Sequence, residues 1–435
     1  MKYLTKILAG VLLAGLAVIL LLLPVHAFLS TWGGTAIGPL LVWKSWKELL
    51  LAGLLPVTLL FLWLRPDITK ILWSRWVNRL ILVYAFVTGI GALFSPAQFE
   101  AIAAGLMFNL RFFALFLLAQ IVVESGLPVL EKFKTWCAPA LLVITVLLGV
   151  VAMAQVYVLP KDFLVQFGYD KGSSIAPYIL VDENPDALRA FATLRGPNTL
   201  GAYLLVPLAL ALVLILKQRR TVLVWAAIVF GLAALLLTGS RSAWLGALAM
   251  ATVTVLLHVP RGKLKPFLAK AVPLGLAAIA AVVALALAVP AVRLAVFHSS
   301  PGDPTLLEGS SEQHWQATLA GVADVLAHPL GSGVGTAGPA SFYASQVKLA
   351  ENYFVQIAQE VGVVGLILFA LICIALARQL WAGREYMWPK VLLAAFAGLT
   401  IINVFLHGWA DDPTAMTWWG LAGLFVFEER RKIKP

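Results

Sequence analysis

Twelve apolar runs, most of them about as long as a helix that crosses a bilayer, organise this 435-residue chain. They fall near 7–28, 46–64, 79–95, 101–123, 137–158, 198–216, 221–238, 243–258, 271–291, 352–377, 391–409 and 414–427. A helix satisfies every backbone N–H and C=O within its own segment, which lipid requires and an open strand cannot do. A soluble core is no rival reading. The chain is 61% hydrophobic and 12% charged, against roughly 45–50% and 25% in soluble domains. The expectation is an all-α polytopic membrane protein of about twelve transmembrane helices, with residues 1–435 as one integral membrane domain.

The formal charge of +11 matters by its placement. Alternate connections carry Arg65, Lys70, Arg75 and Arg79, then Lys132 and Lys134, then Lys217, Arg219 and Arg220. Further along come Arg261, Lys263, Lys265 and Lys270, then Arg378, Arg384 and Lys390, and finally the tail EERRKIKP. Loops rich in Lys and Arg stay in the cytoplasm, so both termini are expected inside. The charge is absorbed by this pattern and by membrane lipids, and no nucleic-acid partner is expected. PVHA at Pro24–Ala27 resembles a signal cleavage site, but the apolar run from Ile7 to Leu23 exceeds a typical h-region, which favours a retained first helix. Cys137 and Cys373 both lie in apolar runs and imply no disulfide framework.

Two outward loops, 160–197 and 291–350, are longer than connectors need to be. HWQATLAGVADVLAHP in the second has apolar residues at helical spacing, so order is expected. No internal repeat is evident, and the two halves lack the matching broken helices of many transporters. The polar chemistry gathers on the outward side in three clusters. RAFATLRGPNTLGAYLL carries Arg195 and Asn198 into the sixth span, and TGSRSAWLG carries Arg241 between two others. The third is HWQATLAGVADVLAHPLGSGVGTAG followed by AENYFVQIAQEVGVVGL.

An isolated arginine at the bilayer centre costs roughly 3 kcal/mol on insertion scales, so Arg241 needs a reason. A guanidinium offers five donors in a planar fork suited to phosphate, and helix N-termini after Arg195 and Arg241 would add their dipoles. The bland alternative is that each arginine snorkels to headgroups or pairs with Asp182, Glu183 or Asp186. Arg111, inside MFNLRFFALFLL, either lines the same cavity or pairs with a buried carboxylate. Gly333, Gly335 and Gly338 spell GxGxxG without a preceding strand, which reads as a loop turn. His314 and His328 lack zinc spacing, and the acidic pairs, including Asp411 and Asp412, read as solvated loops, so no metal and no cofactor is expected. Gly362 and Gly365 read as helix-packing positions.

Taken in order, RGPNTLGAYL, SRSAWLG, W-x-x-x-L before HPLGSGVG, and ENYFVQIAQEVGVVGL resemble the O-antigen ligase and O-antigen polymerase superfamily over about Arg195–Gly365. The resemblance implies a C-type glycosyltransferase fold in the bacterial inner membrane with an active site facing away from the cytoplasm. It implies inverting transfer of a glycan from an undecaprenyl-pyrophosphate carrier to a glycan, lipid or protein acceptor, without nucleotide sugar or metal. Ligase and polymerase differ in the acceptor; a non-catalytic lipid-linked glycan transporter and an assembly scaffold are the rivals from other classes.

On that resemblance Arg195 and Arg241 occupy the positions tied to the donor pyrophosphate, with Asn198, His314 and Asn352 as further substrate-binding residues. This sequence departs from the family where His-Asn usually opens the tenth-span motif, since it has Glu351-Asn352. It also places His314 before Trp315 where relatives often carry a basic residue. Glu351 is therefore the expected base, with His314 as its substitute.

Overall fold

A computed structural model describes residues 2–426, apart from 171, 173, 182–183 and most of 264–309. The expected ninth span, the first part of the second long loop and the basic tail lie outside the described residues. Elsewhere the apolar runs are helices, and eight of these are long and apolar enough to cross a membrane. The first helix, α1 (Lys2–Leu22), passes through a short 3-10 turn containing Pro24 into α2 (His26–Ala36), making one apolar rod longer than the sequence pattern suggests. Then follow α3 (Leu40–Lys44), α4 (Trp46–Leu64), α5 (Pro66–Ser74), α6 (Trp76–Leu93), α7 (Phe99–Glu124) and α8 (Pro128–Tyr157).

The described part of the first long loop holds a 3-10 turn (Phe163–Phe167) and a short sheet. The sheet is an antiparallel hairpin of β1 (Ile179–Val181) and β2 (Asn184–Arg189), in which Ile179 pairs with Arg189 and Leu180 with Leu188. Next come α9 (Pro197–Leu216), α10 (Val222–Leu237) and α11 (Arg241–Leu256), the last two shorter than a full span. The helical spacing in the second long loop is realised as α12 (Ser310–Ala327). The chain ends with α13 (Tyr353–Ala382), α14 (Met387–Phe405) and α15 (Asp412–Phe425).

Two helices form the centre. Nearly every residue of α9 is buried, and all of α15 from Pro413 to Phe425 is buried as well. A helix apolar on every side belongs inside the bundle, and α15 has only 14 residues because it is enclosed by protein. Around them the backbones meet closely. A Cβ on Gly246 of α11 would lie 2.8 Å from the carbonyl oxygen of Gly398 in α14, so small residues set that separation. Leu55, Leu59 and Trp63 of α4 stay exposed, as expected of a lipid-facing helix.

Arg111 is settled by its neighbours. Its guanidinium pairs with Glu48 Oε1 at 2.8 Å and with Asp412 Oδ1, and it donates to the Ala410 carbonyl. Lys47 Nζ lies 2.6 Å from Asp412 Oδ2 and 3.1 Å from Glu48 Oε2. Trp46 Nε1 donates to His26 Nδ1 at 2.9 Å, which leaves Nε2 to carry the proton that faces Asp412 Oδ2 at 3.2 Å. Two cations and two carboxylates thus tie α2, α4, α7 and α15 together.

Candidate active site

A cavity of about 390 Å³ opens where the helix ends meet the two long loops. Its wall is built from Arg189 of β2, Asn198 of α9, Ser240 to Ser242 around the start of α11, His314, Trp315 and Thr318 of α12, Glu351 and Asn352 before α13, and Val404 to Leu406 at the end of α14.

Arg189 reaches the wall because its backbone is latched. The next residue, Ala190, donates its N–H to the Leu237 carbonyl at 2.8 Å, joining the hairpin to the end of α10. Gln155 of α8 accepts the N–H groups of Phe191 and Ala192 at 3.2 and 2.7 Å. The side chain of Arg189 then donates from Nε to the Thr238 carbonyl at 2.8 Å and from Nη2 to Asn198 Oδ1 at 3.0 Å. One arginine therefore braces three segments of the wall.

Arg241 enters from the turn between α10 and α11. Gly239 adopts φ 57°, the left-handed region that favours glycine, and reverses the chain at that point. Trp244 Nε1 donates back to the Leu235 carbonyl at 2.9 Å and fixes the angle between the two helices. Ser240 precedes α11 without a side-chain cap bond of its own. The N-terminus of α13 differs: Asn352 Oδ1 accepts from Phe354 N at 3.0 Å and Val355 N at 3.1 Å.

Opposite lie the acid and its histidines. Glu351 Oε2 is 3.3 Å from His314 Nδ1. Burial pushes the Glu351 carboxyl up, but the neighbouring His314, and His407 after it, outweigh that, and the net shift is downward. The helix α14 stops at Phe405, so His407 lies beyond it. Burial lowers the His407 imidazole to about 4, Glu351 opposing and His314 adding to the fall. Glu351 is thus an ionised group near neutral pH, held there by histidine rather than raised by burial. It also adopts φ 50°, a conformation in which non-glycine residues are uncommon.

Five of the six residues picked out in the sequence share this wall: Asn198, Arg241, His314, Glu351 and Asn352. Arg195 does not. It is exposed, and its positive charge opposes the burial that raises the Asp411 carboxyl, which places it toward the Arg111 cluster. The cavity arginine that the motifs did not single out is Arg189, six positions earlier in the same stretch. Only the hairpin register and its latches reveal it.

The glycine pattern has a packing cause. A Cβ on Gly335 would lie 2.5 Å from the Ala101 carbonyl carbon, and φ there is 88°. Its N–H donates to Glu360 Oε1 at 2.7 Å, while Asn109 donates to Glu360 Oε2 at 2.8 Å. Gly362 sits at a kink of α13, where a Cβ would meet the Leu330 backbone, so it receives this loop rather than a neighbouring helix. Among the described residues no three His, Cys, Asp or Glu side chains gather as a metal site. The side chains of Asp182, Glu183 and Asp186 lie outside the described part.

The fold and cavity define a multi-pass membrane protein with a pocket that carries two arginines, a glutamate and a histidine among apolar side chains. Residues 226–370 match a family model described as O-Antigen ligase. The match runs from α10 into α13 and supports the resemblance to the O-antigen ligase and polymerase superfamily, and with it glycan transfer at the family level. A search of curated proteins found no match.

Proposed function

We propose that this protein moves a glycan from an undecaprenyl-pyrophosphate carrier to an acceptor hydroxyl at the outward face of the membrane, in the manner of an O-antigen ligase. The observation that carries the reading is that one cavity lining brings together Arg189, Arg241 and the Glu351–His314 pair. An inverting transfer needs a stabilised pyrophosphate leaving group and an acceptor placed for attack. The two guanidiniums and the first turn of α11 supply the first requirement, and the acid–histidine pair supplies the second. A pocket at the ends of the helices suits a donor whose lipid stays in the bilayer while its headgroup reaches the polar loops.

The test is transfer by the purified protein, supplied with a lipid-linked oligosaccharide and separate acceptors: lipid core, peptide, or a second carrier-linked glycan. Product with the lipid core or peptide supports the ligase reading, whereas product only with a second carrier-linked glycan assigns polymerisation. Binding and movement of the donor across a vesicle membrane without a new glycosidic bond would sink catalysis in favour of transport. Impermeant labelling of single cysteines in the 217–220 turn and the 160–197 loop checks the face. Labelling of the turn from outside intact cells would overturn the outward site.

A further inference from the structure

At the contact between α12 and the start of α13 a carboxylate lies beside the enclosed nitrogen of a cavity-lining histidine. We propose that His314 is the catalytic base of glycan transfer and that Glu351 is its positioning residue, the two forming a carboxylate–imidazole dyad. The inference rests on the transfer reading above and deepens it, because the sequence alone favours Glu351 as the direct base.

His314 Nδ1 faces Glu351 Oε2 at 3.3 Å and is itself enclosed by protein, while the side chain as a whole remains 42% exposed and lines the cavity. The exposed edge of the ring is therefore the one that carries Nε2. A carboxylate beside Nδ1 keeps the proton on that nitrogen, which leaves the Nε2 lone pair directed at open space. The contact is an ion-pair approach outside hydrogen-bond geometry, and catalytic pairs are often long or poorly aligned before substrate closes a site.

Both members are held by backbone. Thr318 Oγ1 lies 2.9 Å from the His314 carbonyl and 2.9 Å from the Ala350 carbonyl, so one hydroxyl bridges α12 to the residue before Glu351. On the other side Asn352 caps α13 and donates from Nδ2 to the Val404 carbonyl at 2.9 Å. Between these anchors Glu351 takes up its left-handed backbone conformation. Strain of this kind persists where the surroundings over-determine it, and here it turns the chain at the residue that meets His314.

The step balances as follows. The acceptor hydroxyl oxygen forms a bond to the anomeric carbon while its proton passes to His314 Nε2. The bond from that carbon to the phosphate oxygen breaks, and its electron pair leaves with the lipid pyrophosphate. The imidazolium, stabilised by Glu351, then releases its proton to the departing phosphate or to solvent. Among the described residues the ionisable and charged groups around His314 are Glu351 before α13, His407 after α14, and Arg189 and Arg241 in the same cavity lining. His407 stays neutral above about pH 4, so Glu351 is the anionic neighbour of the ring.

The experiment measures initial transfer rates against pH for the wild type, His314→Gln, Glu351→Gln, Glu351→Asp and the double variant His314→Gln/Glu351→Gln. Each protein is first checked for monodisperse elution and for binding of the lipid-linked donor. His314→Gln and the double variant should lose about 10²- to 10⁴-fold and match one another, because the pair acts as a unit. Glu351→Gln should lose less, about ten- to hundredfold, as partners that orient a functional imidazole do. Glu351→Asp should recover part of the rate, and Glu351→Gln should cost nothing further once His314 is already Gln. A purely structural glutamate would multiply its loss onto that of His314→Gln, and that result overturns the dyad. So does near-normal transfer by His314→Gln beside an inactive Glu351→Gln, which makes the carboxylate the direct base. Absence of transfer by the wild type with every acceptor would instead remove the parent reading.

Discussion

Arg111 lies inside α7 with its side chain 4% exposed, enclosed by Glu48, Asp412 and the Ala410 carbonyl. Arg241 opens α11 and lines a cavity of about 390 Å³, where Arg189 is a second guanidinium and Glu351 the one carboxylate among the described lining residues. Both are arginines in a chain built for lipid, and an isolated charge there is costly. The difference lies in access. Around Arg111 two acids match two cations, Arg111 and Lys47, and the ion pairs hold helices together. Around Arg241 the wall opens onto a cavity, and the Glu351 carboxylate of the same lining faces His314. An arginine in such a chain therefore signals a site when the fold leaves it lining a cavity rather than enclosed within the bundle.

The largest expected effect breaks the closed region. Arg111→Ala removes one member of a buried network and leaves Glu48 and Asp412 short of a cation. Breaking such a pair typically costs about 3–5 kcal/mol, so the variant should aggregate or unfold several degrees early in detergent. Arg111→Lys should be intermediate, because a point charge cannot reach Glu48, Asp412 and Ala410 at once. A stable, monodisperse Arg111→Ala protein that has lost only transfer would move Arg111 from the frame to the site.

The open region should behave in reverse. Arg241→Ala should keep the fold and lose transfer by roughly ten- to hundredfold, the worth of about 1.5–3 kcal/mol for a charged hydrogen bond. Arg189→Ala should lose a similar amount in transfer and somewhat more in stability, since its side chain also braces Thr238 and Asn198. Arg→Lys at either position should remain impaired, because the fork is lost while the charge is kept. Full glycan transfer by Arg241→Ala would return that residue to headgroup snorkelling.

The same contrast explains what the sequence could and could not disclose. Apolar length and the spacing of basic loops are local properties, so the helices emerge from the sequence almost residue by residue, as at 46–64 and 198–216. Helical spacing likewise exposes α12 inside a long loop. The hairpin of β1 and β2 is too short for a periodic signal, and without it nothing separates Arg189 from Arg195 in RAFATLRGPN. The partners of Arg111 are distant in sequence, Glu48 before it and Asp412 near the other end, and an acidic pair in a loop looks solvated until α15 carries it inward. The contact between His314 and Glu351 depends on how α12 docks on the start of α13, which no local pattern encodes.

The smallest expected effect tests the residue that the motif favours and the cavity wall omits. Arg195 is exposed, and its charge acts on Asp411, whose carboxylate accepts from Thr199 Oγ1 at 2.9 Å at the start of α9. Arg195→Ala removes that opposing charge, so the Asp411 carboxyl rises further and its hold on Thr199 weakens slightly. Exposed substitutions away from caps and pairs usually stay within about 0.5 kcal/mol, which is roughly a twofold change in rate. Arg195→Ala should therefore transfer glycan at no less than about half the wild-type rate. The measurement is the same donor–acceptor assay, run beside Arg189→Ala at matched protein concentration. The wall geometry requires Arg189→Ala to be the worse of the two. A loss at Arg195 equal to that at Arg241 would mean that the donor extends past the wall toward Asp411, and the pyrophosphate position would then be set by Arg195 and Arg241 together.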